Sequence, residues 1–171
     1  YANYGYRGAF DVSRGKLVAA GGSQYDCSSG CSTNYLVEVH EWDSASNGWA
    51  QRCTTPACAA SAPGATQRDL DLVYDVNRKK TLVCNLAGRS CKTWDGATAD
   101  GTWGAVAAFP SGAMLRGFYD ATYGAATFIG NDGTYSWNGT AWVKRTSSFV
   151  YANSVTWDSL RKRAVALLVS G

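Results

Sequence analysis

The sequence predicts an all-β fold, an array of small antiparallel sheets, and two observations carry that reading. The first is a repeat. An aromatic-Asp pair, a turn and an apolar run (Phe10-Asp11…Leu17-Val18-Ala19-Ala20) precede a second aromatic-Asp pair and a turn ending on Trp (Trp42-Asp43…Trp49). The pattern returns as Tyr74-Asp75…Leu82-Val83 with Trp94-Asp95…Trp103, then as Tyr119-Asp120…Phe128-Ile129 with Trp137-Asn138…Trp142. Trp157-Asp158…Ala164-Val165-Ala166-Leu167-Leu168 opens a fourth copy. Repetition on this scale means supersecondary units packed in series. The second observation is composition: 19 Gly, 7 Trp and 10 Tyr beside one Met and three Pro favour many short strands joined by tight turns.

Each copy reads as four strands. In the first, Arg7 to Val12 alternates, Ser13-Arg14-Gly15 turns the chain, and Lys16 to Ala20 returns. Gly21-Gly22 breaks that strand and opens a long loop, after which Tyr35 to Trp42 alternates apolar and polar residues as a half-buried strand does. Asp43 to Gly48 turns into a short outer strand, Trp49 to Arg52. The second copy predicts strands over 70–76, 81–85, 92–95 and 102–106; the third over 115–121, 125–130, 133–138 and 141–144. The half copy adds 152–158 and 163–169, making fourteen strands and no helix. The first Asp of each copy falls at 11, 75, 120 and 158, so the interval shrinks while the strand core persists. Loops absorb the difference, and loops are where recognition most naturally sits.

The turns have their own chemistry. Asp11 and Arg14, Asp75 and Arg78, and Asp158 and Arg161 share one spacing, so an Asp that caps the turn can be met by an Arg three residues on. Asp120 is followed by Tyr123 at that place, which makes the Arg helpful and not obligatory. Trp42 with Trp49, Trp94 with Trp103, and Trp137 with Trp142 are placed to face one another across hairpins and to pack sheet on sheet. Asn138-Gly139-Thr140 is a glycosylation sequon, but its place in a tight turn favours structural use.

Six cysteines in a Gly- and aromatic-rich chain point to an oxidising compartment. They fall as close neighbours: Cys27 and Cys31, Cys53 and Cys58, Cys84 and Cys91. A Cys84–Cys91 bridge fits across one hairpin; crossed pairing between the other two loops stays open as an alternative. Zinc sites usually space cysteines two apart with His in support, and His40 is the single histidine, so no metal or cofactor is expected.

These residues resemble the kelch-type repeats of β-propellers, particularly a diverged bacterial form. The matches are Phe10-Asp11-Val12-Ser13-Arg14-Gly15-Lys16-Leu17-Val18 with Gly21-Gly22, and Tyr74-Asp75-Val76-Asn77-Arg78-Lys79-Lys80-Thr81-Leu82-Val83. The later turn is clearest at Trp94-Asp95-Gly96 and Trp137-Asn138-Gly139-Thr140-Ala141-Trp142. The double glycine occurs once; Asn85-Leu86 and Gly130-Asn131 stand in its place. The resemblance implies one partial β-propeller over residues 1–171, with four-stranded antiparallel blades near 2–53, 66–107 and 113–146 and a half blade at 151–171. About three and a half blades are incomplete on their own, because propellers close with about four or more. The start at Tyr1, with neither Met nor signal peptide, predicts a processed product or a fragment. The expected partner is further polypeptide, an identical copy or a neighbouring subunit that completes the ring.

Function is less legible. A net charge of +3, scattered along the chain, gives no nucleic-acid footprint, and no run approaches the about 18 to 20 apolar residues that span a bilayer. His40 alternates with apolar residues in a strand and reads as a packed or surface residue rather than a general base. Glu38 and Glu41 fall on opposite faces of a strand and cannot act as a carboxylate pair. No catalytic residue is therefore assigned. Candidate ligand contacts are Tyr25 and Tyr35 in the long loop, and Arg7 and Arg116, each four residues before the Asp of its copy; Arg68 precedes Asp75 by seven. The expected function is a secreted (extracellular or periplasmic), non-catalytic binding or structural module for a glycan or a protein surface. The alternatives are the propeller portion of a larger secreted enzyme, carbohydrate-active or oxidase, and a subunit of an extracellular filament.

Overall fold

Each sheet begins where a carboxylate organises its own turn. Asp11 Oδ1 accepts the backbone N–H groups of Ser13 and Arg14 at 3.1 and 3.2 Å, and Arg14 Nε returns to Oδ2 at 2.6 Å. Asp75 with Arg78 and Asp158 with Arg161 do the same, with guanidinium contacts of 2.8 and 2.7 Å. Asp120 takes the N–H groups of Thr122 and Tyr123, while Arg145 sits 4.2 Å over the Tyr123 ring. All four turns close through a left-handed residue at the fourth place after the Asp: Gly15, Lys79, Gly124 and Lys162, with φ of 67°, 54°, 58° and 52°. Asn138 caps its own turn, its Oδ1 accepting from the N–H groups of Thr140 and Ala141 at 2.9 and 2.8 Å.

The computed structural model describes residues 2–4, 6–28, 30–35, 38–63 and 70–168. Among them the first sheet is β2 (Arg7–Asp11), β3 (Lys16–Ala20), β6 (Val39–Asp43) and β7 (Gly48–Arg52), paired in that order. The second is β8 (Leu70–Asp75), β9 (Lys80–Asn85), β10 (Ser90–Asp95) and β11 (Thr102–Ala105). The third is β12 (Met114–Asp120), β13 (Ala125–Gly130), β14 (Gly133–Trp137) and β15 (Trp142–Thr146), and the fourth holds only β16 (Ala152–Asp158) and β17 (Arg163–Leu168). Every pairing is antiparallel, so these are all-β blades, three of four strands and one of two. The inner strands pack in series, β2 against β8, β8 against β12 and β12 against β16, and among the described residues no closed barrel forms. The tryptophans face each other across their hairpins as Trp42–Trp49, Trp94–Trp103 and Trp137–Trp142.

The sheets are locked to one another by the same turn residues. Arg14 Nη1 donates to the carbonyl of Gly96, in the β10–β11 turn of the next sheet, at 2.9 Å. Its other contacts reach the buried carboxylate of Glu41 at 2.7 and 3.1 Å, and Glu41 also accepts from Trp94 Nε1 of the second sheet at 3.0 Å. Tyr74 OH of the second sheet donates to Ser13 of the first at 2.7 Å. One step along, Arg78 lies against Gly139 in the β14–β15 turn, where a Cβ would stand 2.8 Å from its Nε. A Cβ on Gly96 would overlap Arg14 and Glu41 outright. The glycine after Trp-Asp or Trp-Asn is thus the socket for the arginine of the preceding sheet. Apolar packing fills the rest: Val18, Val39, Leu72, Val83 and Trp94 between the first two sheets, and Val73, Leu82, Phe109, Phe128 and Trp137 between the second and third.

Two regions correct the expectation drawn from sequence. The segment from 35 to 42 is not one strand: Ser32–Tyr35 forms β5, which pairs with β4 (Ser23–Asp26) and through it with β1 (Ala2–Tyr4) in a separate three-stranded sheet. These strands are three or four residues long and rich in Ser, Asn and Gln, with no alternation to reveal them. A helix, α1 (Pro56–Ser61), also stands where none was expected. Thr55 caps it by accepting from Cys58 N, Pro56 enters at its start, and six residues are too few to show a helical period. Disulfides join Cys27–Cys31, Cys53–Cys58 and Cys84–Cys91, so the crossed alternative is excluded. Three disulfides fit an oxidising compartment.

Replacing Gly96 by Ala should lower stability by about 1–3 kcal/mol through overpacking, and Glu41→Ala by about 3–5 kcal/mol by stranding buried partners. Urea unfolding of the two variants reads both. Limited reduction followed by alkylation should label the exposed Cys27 and Cys31 before the buried Cys84 and Cys91.

Candidate functional site at the end of the inner strands

The four inner strands surround one cleft of about 330 Å³, walled by Phe10, Tyr74, Phe118, Tyr119 and Trp157 among others. Its walls are mostly apolar because each inner strand gives it a short run of mainly apolar residues, Gly8 to Phe10, Leu72 to Tyr74, Gly117 to Tyr119 and Val155 to Trp157. Charge gathers at one end, where the inner strands start. Arg7 opens β2, Asp71 is the second residue of β8, and Arg116 is the third of β12.

A bulge places these groups. The β12–β13 register jumps between Met114 and Gly117, and Gly117 N–H donates across the sheets to Asp71 Oδ2 at 2.8 Å. Only glycine fits there, since a Cβ would overlap Phe128 and Val73. Leu72 N–H adds a second bond to Asp71 at 3.1 Å. Arg116, inside the bulge, donates Nε to the Asn153 carbonyl and Nη1 to the Leu115 carbonyl, both at 2.9 Å, and so ties β12 to β16. Burial pushes the Asp71 carboxyl above the usual range, outweighing the Gly117 and Leu72 bonds and the positive charges of Arg116 and Arg7.

Beside this cluster a second cavity of about 340 Å³ is lined by Leu86, Arg89, Met114, Leu115, Arg116 and Ala152. Arg89 Nη1 donates to the Ser111 carbonyl at 3.2 Å, and Asn131 closes the rim by accepting from Ser111 Oγ and Ala113 N–H at 2.7 and 3.2 Å. This cavity can hold a polar or anionic group between Arg89 and Arg116.

Of the sequence-derived candidates, Arg7 and Arg116 are near enough for their charges to act on the Asp71 carboxyl, and Arg116 bonds to the Asn153 and Leu115 carbonyls. Tyr25 and Tyr35 ride on the separate β4–β5 hairpin, opposite Thr33 and Ser23 in register, and their side-chain positions lie outside the described part of the structure, as does Arg68. Asp71 itself was overlooked. Its signal was a charge at an alternating position within Leu-Asp-Leu-Val-Tyr-Asp, a pattern that any half-buried strand also gives. Glu38 and Glu41 have separate partners: Glu41 joins the sheet contact above, and Glu38 accepts from His40 Nε2 at 3.0 Å. Among the described residues no group of three or more His, Cys, Asp or Glu could hold a metal ion, and no helix is long and apolar enough to cross a membrane.

No protein-family model matches this chain, and no curated protein sequence matches it. The likeness to kelch-type repeats therefore rests on the repeat residues themselves.

Because the folded pKa of Asp71 is raised, ionising it costs the native state stability as pH climbs from the unfolded value, about 3.9, through the folded one. The Asp71→Asn variant is spared that cost. Its stability relative to the parent should therefore rise between about pH 3 and pH 7; urea midpoints at several pH values check the slope, and the opposite slope would mean that the arginines outweigh burial.

Proposed function

We propose that this chain is a secreted, non-catalytic β-propeller module that binds a glycan or a protein surface and is completed by a further sheet. The observation that carries the reading is where the repeat charges go. Asp11, Asp75, Asp120 and Glu41 hold turns and sheet contacts, which makes them scaffold and leaves recognition to loops and rims. Disulfides stiffen those segments: Cys27–Cys31 sits at the tip of the β4–β5 hairpin and Cys53–Cys58 holds α1.

The β16–β17 sheet supports the need for a partner. Val165, Leu167 and Leu168 are exposed, Leu167 by 67%. The Asp158–Arg161 turn is formed, yet the Arg161 side chain is 62% exposed. In the first and second sheets the corresponding arginine rests on a glycine turn of the next sheet. A further sheet, from an identical copy or a neighbouring polypeptide, would cover the apolar face, and one with a glycine after its Trp-Asp pair would also receive Arg161. A filament subunit is the limiting case of that partnership. A second reading, the propeller portion of a larger secreted enzyme, is favoured by the raised pKa of Asp71, a carboxyl desolvated near the start of the inner strands.

Native mass spectrometry separates these readings. Discrete multiples of the 18.2 kDa chain indicate completion by copies, an unbounded ladder indicates a filament, and a monomer unchanged by Arg161→Ala counts against partnership. On a glycan array the module should bind above background and lose that binding in a Tyr25→Ala, Tyr35→Ala double variant. A blank array counts against the glycan version.

A further inference from the structure

We propose that the open face of the first sheet carries a carbohydrate site, with Trp49 as stacking platform and Glu38 and His40 as its polar rim. The proposal rests on the glycan-binding reading above and gives it a place. Cross-strand register sets Leu17, Trp42 and Trp49 in one row and Ala19, His40 and Gln51 in the next. These residues share one face; Val18 and Glu41, on the other, are buried against the second sheet.

Tyr6, Ala19, His40 and Trp49 line a cavity of about 340 Å³ on that open face. This lies within the range of about 300 to 1,000 Å³ usual for small-ligand pockets. Its polar edge is prearranged. Glu38 Oε2 accepts from His40 Nε2 at 3.0 Å and from Tyr6 OH at 3.4 Å, and the Tyr6 ring meets the His40 ring edge-on at 6.0 Å. The Glu38 side chain stays 37% exposed, and Gln51 is exposed beside it, so both can still meet a ligand.

Trp49 differs from its counterparts. Trp103 is half-buried, tilted against Trp94 at 4.9 Å with its N–H on Cys53 Sγ; Trp142 is half-buried against Trp137 at 5.3 Å with its N–H on the Ala107 carbonyl. Trp49 is 57% exposed. The equivalent faces of the second and third sheets are covered by a neighbouring sheet, which raises the rival occupant, another sheet. One residue argues against a sheet that docks through an arginine. Those faces carry Gly96 and Gly139 as the arginine socket, whereas Ser44 holds that place after Trp42-Asp43, and its side chain would stand where the arginine docks.

A pyranose matches what remains. One of its faces is a plane of C–H bonds that stacks on an indole, and its edge hydroxyls suit a carboxylate, an imidazole and an amide placed beside that ring. A neutral hexose in an oligosaccharide is the ligand class.

Calorimetric titration with cellohexaose, xylohexaose, chitohexaose and a β-galactan oligomer tests it. At least one should bind the parent. Trp49→Ala should weaken that binding about tenfold or more, with Trp49→Phe retaining part of it and Glu38→Gln falling between. Circular dichroism and the urea midpoint should not move in Trp49→Ala, because the ring lies largely in water. If binding survives Trp49→Ala and Glu38→Gln but is lost in the Tyr25→Ala, Tyr35→Ala variant, the site is wrong and the glycan reading stands. If no sugar binds the parent, both fall. If Trp49→Ala instead changes the oligomeric mass, the face belongs to sheet packing and the proposal is overturned.

Discussion

The architecture depends on one contact: an arginine, held by the aspartate three residues before it, laid across a glycine in the turn of the next sheet. The aspartate orders its own hairpin, so the guanidinium is already aimed before it meets its neighbour. The glycine exposes backbone and carbonyl at close range, and in the first interface the guanidinium also finds the buried carboxylate of Glu41. A buried charge network of this kind is a poor source of net stability but a strict condition on geometry, since any sheet that slips leaves charges unpaired. Sheets that could pack in many ways by apolar contact alone are thereby set in one angular relation.

The third copy shows which parts of that contact can vary. Tyr123 stands in place of the arginine and takes Arg145 on its ring face, while Asp120 still caps the turn and Gly124 still closes it. Turn formation and sheet docking are therefore separable tasks. The first belongs to the Asp and the left-handed residue four places later, the second, in the first two interfaces, to the arginine and the distant glycine. That division also explains the shrinking interval between copies. Insertions such as the β4–β5 hairpin and α1 leave from loops that neither task uses.

The candidate site grows from the same scaffold by a local fault. A bulge in β12 releases one N–H from its ladder and hands it to Asp71 on the neighbouring sheet, drawing Arg116 toward β16. The lone Gly117 within Met-Leu-Arg-Gly-Phe-Tyr-Asp is a sign of a bulge but says nothing of the partner across the sheets, so Asp71 reads as an ordinary strand residue. Arg7 and Arg116 were noticed because both precede an Asp by four residues, a repeat argument that needs no coordinates. Glu41 was legible only as one of two carboxylates that could not pair; its role appeared once Arg14 and Trp94 were brought to it from 27 and 53 residues away.

Read alone, the chain determined whatever depends on neighbours within about ten residues. That covers the strands of each copy, the Asp-capped turns, the tryptophan hairpins and two-residue-period faces, because these follow from backbone sterics and short-range hydrogen bonding that each segment repeats. Tertiary structure decided what depends on segments meeting: which glycine receives which arginine, which carboxyl is buried, and which tryptophan stays open. It also decided the short strands β1, β4 and β5, whose polar residues carry no period and which exist because each supplies the others' hydrogen bonds.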